Sequence, residues 1–176
     1  MQRVRLVSSG GLSGVLLKIN NILYGVPGTI NNLLRIVETE KASTLVVSIP
    51  SPHLRSLVGV LEDKLRVYAP PALRVPGIVR VFETLDVNSG AKVIPITDSC
   101  LALLVNEHKG NVLIAYCFFN DLFYMYLKGV LDPVKASRVI VGSPDARREE
   151  LEILSKRLRL LYNVNVLTLE DLAGHK

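Results

Sequence analysis

Tryptophan is absent from this chain, glutamine occurs only at Gln2, and its 176 residues include just two cysteines and three histidines. Each scarcity excludes something. Cys100 and Cys117 lie in apolar segments and match neither a metal spacing nor a Cys-x-x-Cys motif. They read as buried thiols of a reducing compartment. A disulfide between them stays open, because they sit on neighbouring hairpin strands. His53, His108 and His175 are far apart, and none stands at ligand spacing from a cysteine, so neither a metal site nor a cofactor is expected. No apolar run approaches the roughly 18 residues needed to span a bilayer; the longest, Val112 to Phe119, is strand-sized. The start, Met1-Gln2-Arg3-Val4-Arg5-Leu6, alternates like a strand and lacks the charged and apolar regions of a signal peptide. These features predict a cytoplasmic protein with no membrane partner. Scarce glutamine fits a thermophilic source.

What is abundant is aliphatic. Hydrophobic residues make up 49% of the chain and aromatic ones only 6%. Charged residues stand at 21%, a little low for a monomer surface. Together with a mean hydropathy of +0.33, this points either to apolar surface buried in a homodimer or to a compact α/β core. The net charge of +5 permits nucleic-acid contact without favouring it. The densest basic run, Arg147-Arg148 with Lys156-Arg157 and Arg159, is interleaved with Glu149, Glu150 and Glu152. That pattern marks a solvated helix with i,i+4 pairs more than a DNA-reading one. The length suits a single domain over 1–176, with no linker-like stretch inside it.

Strands are expected over Arg3–Val7 and Leu12–Ile19, joined by the turn Ser8-Ser9-Gly10-Gly11. Gly25-Val26-Pro27-Gly28 reads as a break. A helix capped at Thr29 follows, with Ile30, Leu33, Leu34 and Val37 at helical spacing, then a buried strand over Leu45–Ile49. Ser51-Pro52 opens a second helix with Leu54, Leu57, Val58, Leu61 and Leu65 as its stripe. Short strands follow at Arg66–Tyr68 and Ile78–Phe82. Lys92–Thr97, Leu101–Val105 and Val112–Phe118 read as strands, and the helix 120–130 follows, capped by Asn120-Asp121. Val139–Val141 is a strand. Gly142-Ser143-Pro144-Asp145 then opens a helix by the same Ser-Pro device, with Leu151, Leu154, Leu158 and Leu161 buried, and Val164–Leu167 closes the chain. Leu45–Tyr68 and Val139–Leu167 share one plan, which fits a duplicated α/β fold or two ordinary βαβ units.

No catalytic motif is complete. Gly10-Gly11-Leu12-Ser13-Gly14 and Gly142-Ser143-Pro144 lack the dinucleotide-binding spacing, and there is no P-loop. His53, in the first turn after a buried strand, is the histidine best placed for a site, since ligands gather at strand C-termini in α/β sheets; a helix-face histidine without a role is the plainer alternative. Asp98-Ser99 ends a strand with no second carboxylate beside it in sequence, so it is a turn-former or lines a pocket.

The run Thr29 to Glu38, followed by Ala42 to Pro50 and by Leu54, Leu57 and Leu61, resembles the opening of the effector domain of TrmB-type archaeal transcription regulators. Lys92 to Ser99, Leu101 to Val105, Val112 to Tyr116 and Phe118 to Leu122 resemble its later strands and the helix after them. The resemblance covers roughly 21–131 and leaves 137–171 as a further strand-helix-strand unit. It implies a three-layer α/β domain with a mixed central sheet, phospholipase D-like. Neither copy of the His-x-Lys-x4-Asp motif of phospholipase D catalysis is present, so the resemblance implies a scaffold that is not an enzyme. It would be a stand-alone transcription-regulation module that senses a small ligand such as a sugar, or pairs with a DNA-binding partner protein. The expected ligand site gathers Ser48, His53, Asp98, Ser99 and Asn120, with no catalytic residue. Two alternatives remain. One is a nuclease or phosphotransferase built on a cluster such as Asp98 with Lys92 or Lys109. The other is a nucleic-acid-binding accessory protein.

Overall fold

The computed structural model describes residues 4–51, 54, 65–88, 90–107, 110–129 and 134–173. Two six-stranded mixed sheets organise them. The first runs in spatial order β1 (Arg5–Ser9), β2 (Gly14–Ile19), β3 (Ile22–Pro27), β4 (Thr44–Val47), β5 (Arg66–Ala69) and β6 (Val79–Arg80). The second runs β12 (Asn165–Thr168), β11 (Ala136–Gly142), β10 (Gly110–Tyr116), β9 (Cys100–Glu107), β8 (Ala91–Thr97) and β7 (Leu85–Asn88). In each sheet an antiparallel part passes into a parallel one. β1–β2–β3 are antiparallel and β3–β4–β5–β6 parallel. β7–β8–β9–β10 are antiparallel and β10–β11–β12 parallel. Parallel neighbours need crossovers. α1 (Ile30–Glu40) supplies one between β3 and β4, α2 (Phe119–Leu127) one between β10 and β11, and α3 (Arg148–Tyr162) one between β11 and β12. A short α4 (Leu169–Ala173) ends the described chain.

The sheets lie face to face. Leu17, Ile19, Ile22, Tyr24, Val46 and Tyr68 of the first pack against Val93, Leu101, Leu103, Val105, Ile114, Tyr116 and Ile140 of the second. Helices cover the outer faces. Leu33, Ile36 and Val37 of α1, with Leu54, pack on Leu23, Leu45, Val47 and Val67. Leu122 and Met125 of α2 and Leu154 and Leu158 of α3 pack on Leu113, Ala115, Val139 and Val141. The layers are therefore helix, sheet, sheet, helix. Truncating a wholly buried leucine such as Leu103 to alanine in such a core costs about 2–5 kcal/mol.

Two facing sheets replace the expected three-layer arrangement around one central sheet. Apolar alternation tells which face of a strand is buried, but not which sheet the strand joins. β3 was not expected, because Gly25-Val26-Pro27 reads as a break. Gly25 is there for a packing reason: at φ 139° it sits so close to β2 that any Cβ would strike the carbonyl oxygen of Val15. The edge strand β7 was also not expected. Its residues, Leu85-Asp86-Val87-Asn88, are half-polar and partly exposed. α1 begins after Thr29 as expected. The Ser51-Pro52 helix falls outside the described residues except for Leu54.

α3 differs from the expected helix at both ends. Ser143-Pro144-Asp145 forms a turn, and the helix starts only at Arg148, where the Arg147 N–H donates to Glu150 Oε1 at 2.9 Å. Its inward face holds Leu154, Ser155 and Leu158, while Leu161 is 59% exposed. The thiol reading of the cysteines is corrected as well: Cys100 and Cys117 are joined in a disulfide, with Cα atoms 5.6 Å apart. No helix among the described residues is long and apolar enough to cross a membrane.

Candidate functional site at the shared strand ends

One end of the sandwich brings together the exit of β4, the turn between β8 and β9, and the exit of β10. Ser48 follows β4 and is wholly buried. Its N–H donates to the Gly25 carbonyl, and its own carbonyl accepts from the Leu101 N–H, both at 2.9 Å. The second of these bonds ties the first sheet to the second. Tyr24 reinforces the tie from inside the core. Its hydroxyl donates to the Leu101 carbonyl at 2.7 Å and accepts from the Tyr116 N–H at 2.9 Å. The antiparallel ladder of β10 with β9 ends at Ala115 opposite Ala102, so this N–H has passed beyond its strand partner. Burial pushes the Tyr24 phenol well above its ordinary value; the Tyr116 N–H and, after it, the Ser48 hydroxyl pull the other way. The Ser48 hydroxyl is near enough to act on that phenol but meets no hydrogen-bond geometry of its own. The Cys100–Cys117 disulfide lies beside it, with Cys117 Sγ 3.9 Å from the Ser48 carbonyl.

The polar mouth of this end centres on Asp121, in the first turn of α2. Thr97 Oγ1 donates to Asp121 Oδ1 and Ser99 Oγ to Asp121 Oδ2, each at 3.0 Å. The Ser99 N–H donates to Thr97 Oγ1 at 3.2 Å, which fixes the turn that presents both hydroxyls. A second carboxylate stands close by. Asp145 Oδ1 accepts from the Ser143 hydroxyl at 2.7 Å and from the Phe119 N–H at 2.9 Å. It thereby caps α2, whose own N-cap residue, Phe118, makes no side-chain bond. Burial and, second, the charge of Asp145 raise the Tyr116 phenol above its ordinary value.

The sequence-expected residues distribute as follows. Ser99 is in the mouth and holds Asp121. Ser48 lies behind it, out of solvent. Asp98 and Asn120 are exposed at its rim; the Asp98 carbonyl accepts from the Ala72 N–H at 2.8 Å. His53 lies outside the described residues. Lys92 sits near the opposite end of β8 from Asp98, and Lys109 is outside the described residues, so neither builds the suggested carboxylate–lysine cluster among them. The sequence pattern does not mark Asp121 or Thr97 as site residues. Asn120-Asp121 reads in sequence as a cap, and the hydroxyls that give Asp121 its setting come from 24 and 22 residues away.

No family model matches the sequence, and no curated protein does. Among solved structures, Tm1679, a metal-dependent hydrolase of the beta-lactamase superfamily, superposes with a TM-score of 0.61 at 11% identity, over 96% of each chain. The fold is metallo-beta-lactamase-like. A class B3 di-zinc metallo-beta-lactamase from an Alaskan soil metagenome matches at a TM-score of 0.48 and 11% identity, over 94% of this chain and 92% of that one. The metallo-beta-lactamase fold protein YhfI from Bacillus subtilis matches at 0.44 and 11%, over 93% and 91%. The first likeness overturns the TrmB-type reading, its phospholipase D-like fold, and the non-catalytic transcription-regulation module drawn from them. The apolar pattern behind that resemblance is common to strand-and-helix repeats of many folds.

Whether a metal suits this metallo-beta-lactamase-like chain is decided by its own donors. Among the described residues no three His, Cys, Asp or Glu side chains gather around one point. Both cysteines are consumed by each other, and both oxygens of Asp121 already accept from hydroxyls. Of the three histidines in the sequence, only His53 follows a strand that ends here. A hydrolytic zinc site takes three protein ligands and leaves a position open for water. The described residues at this mouth do not fit that requirement.

Proposed function

We propose that the chain is a hydrolase of ester bonds, with Asp121 as the group that accepts a proton from the attacking water. The observation that carries the reading is the Asp121 carboxylate at the strand ends of a hydrolase-like fold, half-buried and held on both oxygens by Thr97 and Ser99. Two fixed hydroxyls aim the carboxylate and hold it in one rotamer, which general-base catalysis requires before proton affinity matters. Asp98, Asp121 and Asp145 make the mouth acidic, and among the described residues none of them pairs with a basic side chain. Local charge outweighs the chain's overall +5 within a Debye length of about 8–10 Å, so an uncharged ester suits this mouth better than a phosphodiester.

The test uses the purified full-length chain with p-nitrophenyl esters of short acids and, in parallel, p-nitrophenyl phosphate. Turnover of the neutral esters is expected. Asp121→Asn should lower kcat/KM by about 100-fold or more, the range of a lost general base, with an unchanged melting temperature. A wild-type chain that cleaves none of these substrates, or an Asp121→Asn chain as active as wild type, refutes the proposal.

A further inference from the structure

On the far side of the second sheet, a cleft of about 290 Å³ lies between one face of α3 and the corner where β12 turns into α4. We infer that this cleft is a binding site for a small zwitterion, of the size of a free amino acid, bearing one carboxylate and one ammonium group. The inference is independent of the hydrolase reading. Its first support is Ser155. This hydroxyl lines the cleft, is 2% exposed, and has no hydrogen-bond partner among the described residues. A buried hydroxyl left without a partner is costly, and a polar ligand atom in the cleft would satisfy it.

The second support is the charge balance around it. Three acids and three bases line the cleft, and most are already engaged. Arg148 Nε stands 3.4 Å from Glu152 and 3.7 Å from Glu170, so two carboxylates share one guanidinium. Arg159 Nη2 donates to the Val166 carbonyl at 2.8 Å. Asp171 Oδ2 accepts from the Thr168 N–H at 3.0 Å. Lys156 alone among the bases makes no hydrogen bond or ion pair with a described residue. Lys156 of α3 is thus an ammonium without a carboxylate partner among the described residues, while Glu152 of α3 and Glu170 of α4 together carry one more negative charge than Arg148 offsets. A simple anion would satisfy Lys156 and Ser155 but meet the surplus glutamate charge, and a simple cation would do the reverse. A zwitterion places its carboxylate on Lys156 and the Ser155 hydroxyl and its ammonium on Glu170 and Glu152. The volume lies at the lower limit of ordinary small-molecule sites, which excludes a nucleotide or an oligosaccharide.

Calorimetric titration of the full-length chain decides this, using L-alanine, β-alanine and γ-aminobutyrate, whose charges are progressively further apart. Acetate, methylammonium and inorganic phosphate serve as single-charge probes. One zwitterion is expected to bind once per chain, at least tenfold more tightly than any single-charge probe. Its affinity should fall at least tenfold in Ser155→Ala and in Lys156→Gln. Ser155→Ala removes a hydroxyl with no partner among the described residues and so keeps the fold, which a thermal melt verifies. Three results each overturn the inference: no binding of any of the three zwitterions at millimolar concentration, equal binding of a single-charge probe, or binding that survives both substitutions.

Discussion

Removing one oxygen atom, in Tyr24→Phe, tests whether the two sheets are locked together by the phenol at their shared end. The ring stays, so no cavity opens. What is lost is the bond to the Leu101 carbonyl at 2.7 Å and the bond from the Tyr116 N–H at 2.9 Å. That N–H is buried and beyond the end of its antiparallel ladder, so it has no second strand partner on that side. Two bonds at about 0.5–1.5 kcal/mol each, with a buried donor left unpaired, add to a loss of about 2–4 kcal/mol. A domain holds only about 5–15 kcal/mol in all. With a urea slope of about 2 kcal/mol/M, the midpoint should fall by roughly 1–2 M at unchanged slope. Tyr68 provides the control. It lies in the same inter-sheet core, yet its hydroxyl bonds to no described residue, so Tyr68→Phe should shift the midpoint far less. Equal shifts for the two variants, or a Tyr24→Phe loss below about 0.5 kcal/mol, would refute the lock.

Alkaline pH acts on the same residues. The folded Tyr24 and Tyr116 phenols are both raised above their ordinary value, so above about pH 10 the unfolded chain releases protons that the folded chain keeps, and stability falls with rising pH. Unfolding free energies measured from pH 8 to 11 should be flat and then decline; a rise above pH 10 contradicts the assignment. Replacing both Cys100 and Cys117 by alanine opens a 17-residue separation and should cost about 3 kcal/mol, read as a lower melting temperature than the oxidised wild type; equal melting temperatures would discount the bridge. Zinc or manganese added after EDTA treatment should shift melting by less than about 1 °C, since an ion that does not bind the native state adds nothing. A larger rise, lost in Asp121→Asn, would reinstate a metal at the mouth.

The amino-acid pattern carried most of the local elements and little of the assembly. β8, β9, β10 and α2 are legible because alternation gives way to helical spacing at Phe118-Phe119. α1 is legible because Thr29 precedes Ile30, Leu33 and Val37. β3 is hidden because Gly25, placed for the close approach of β2, looks like a breaker. Leu161 looks like the end of a buried stripe, but the observed inward face of α3 runs through Ser155, a polar residue no hydropathy pattern would select. Sheet membership was out of reach because it rests on contacts between distant segments, such as the Leu101 N–H on the Ser48 carbonyl. The candidate site suffered for the same reason. Ser99 could be picked out at the end of its strand, but nothing near Asp121 in sequence distinguishes a carboxylate held by two hydroxyls from an ordinary helix cap.

The likeness between Leu45–Tyr68 and Val139–Leu167 takes on meaning once both sheets are seen. The described plan is β2, β3, α1, β4 and then β5 in one half, and β9, β10, α2, β11, α3 and β12 in the other, each passing from an antiparallel pair into parallel strands. The two halves face each other across the core of Tyr24, Val46, Leu101 and Tyr116. They are not equivalent at the mouth. Among the described residues the first half contributes Ser48, buried beside the Tyr24 phenol, and Arg80, which donates to the Pro71 carbonyl, while the second contributes Asp121 and Asp145 with their hydroxyl partners. Among the described residues the carboxylates held by fixed hydroxyls both lie on the second half, which singles out Asp121 as the first position to mutate, and the bonds of Tyr24 to Leu101 and Tyr116 tie the first half to the strands that carry it.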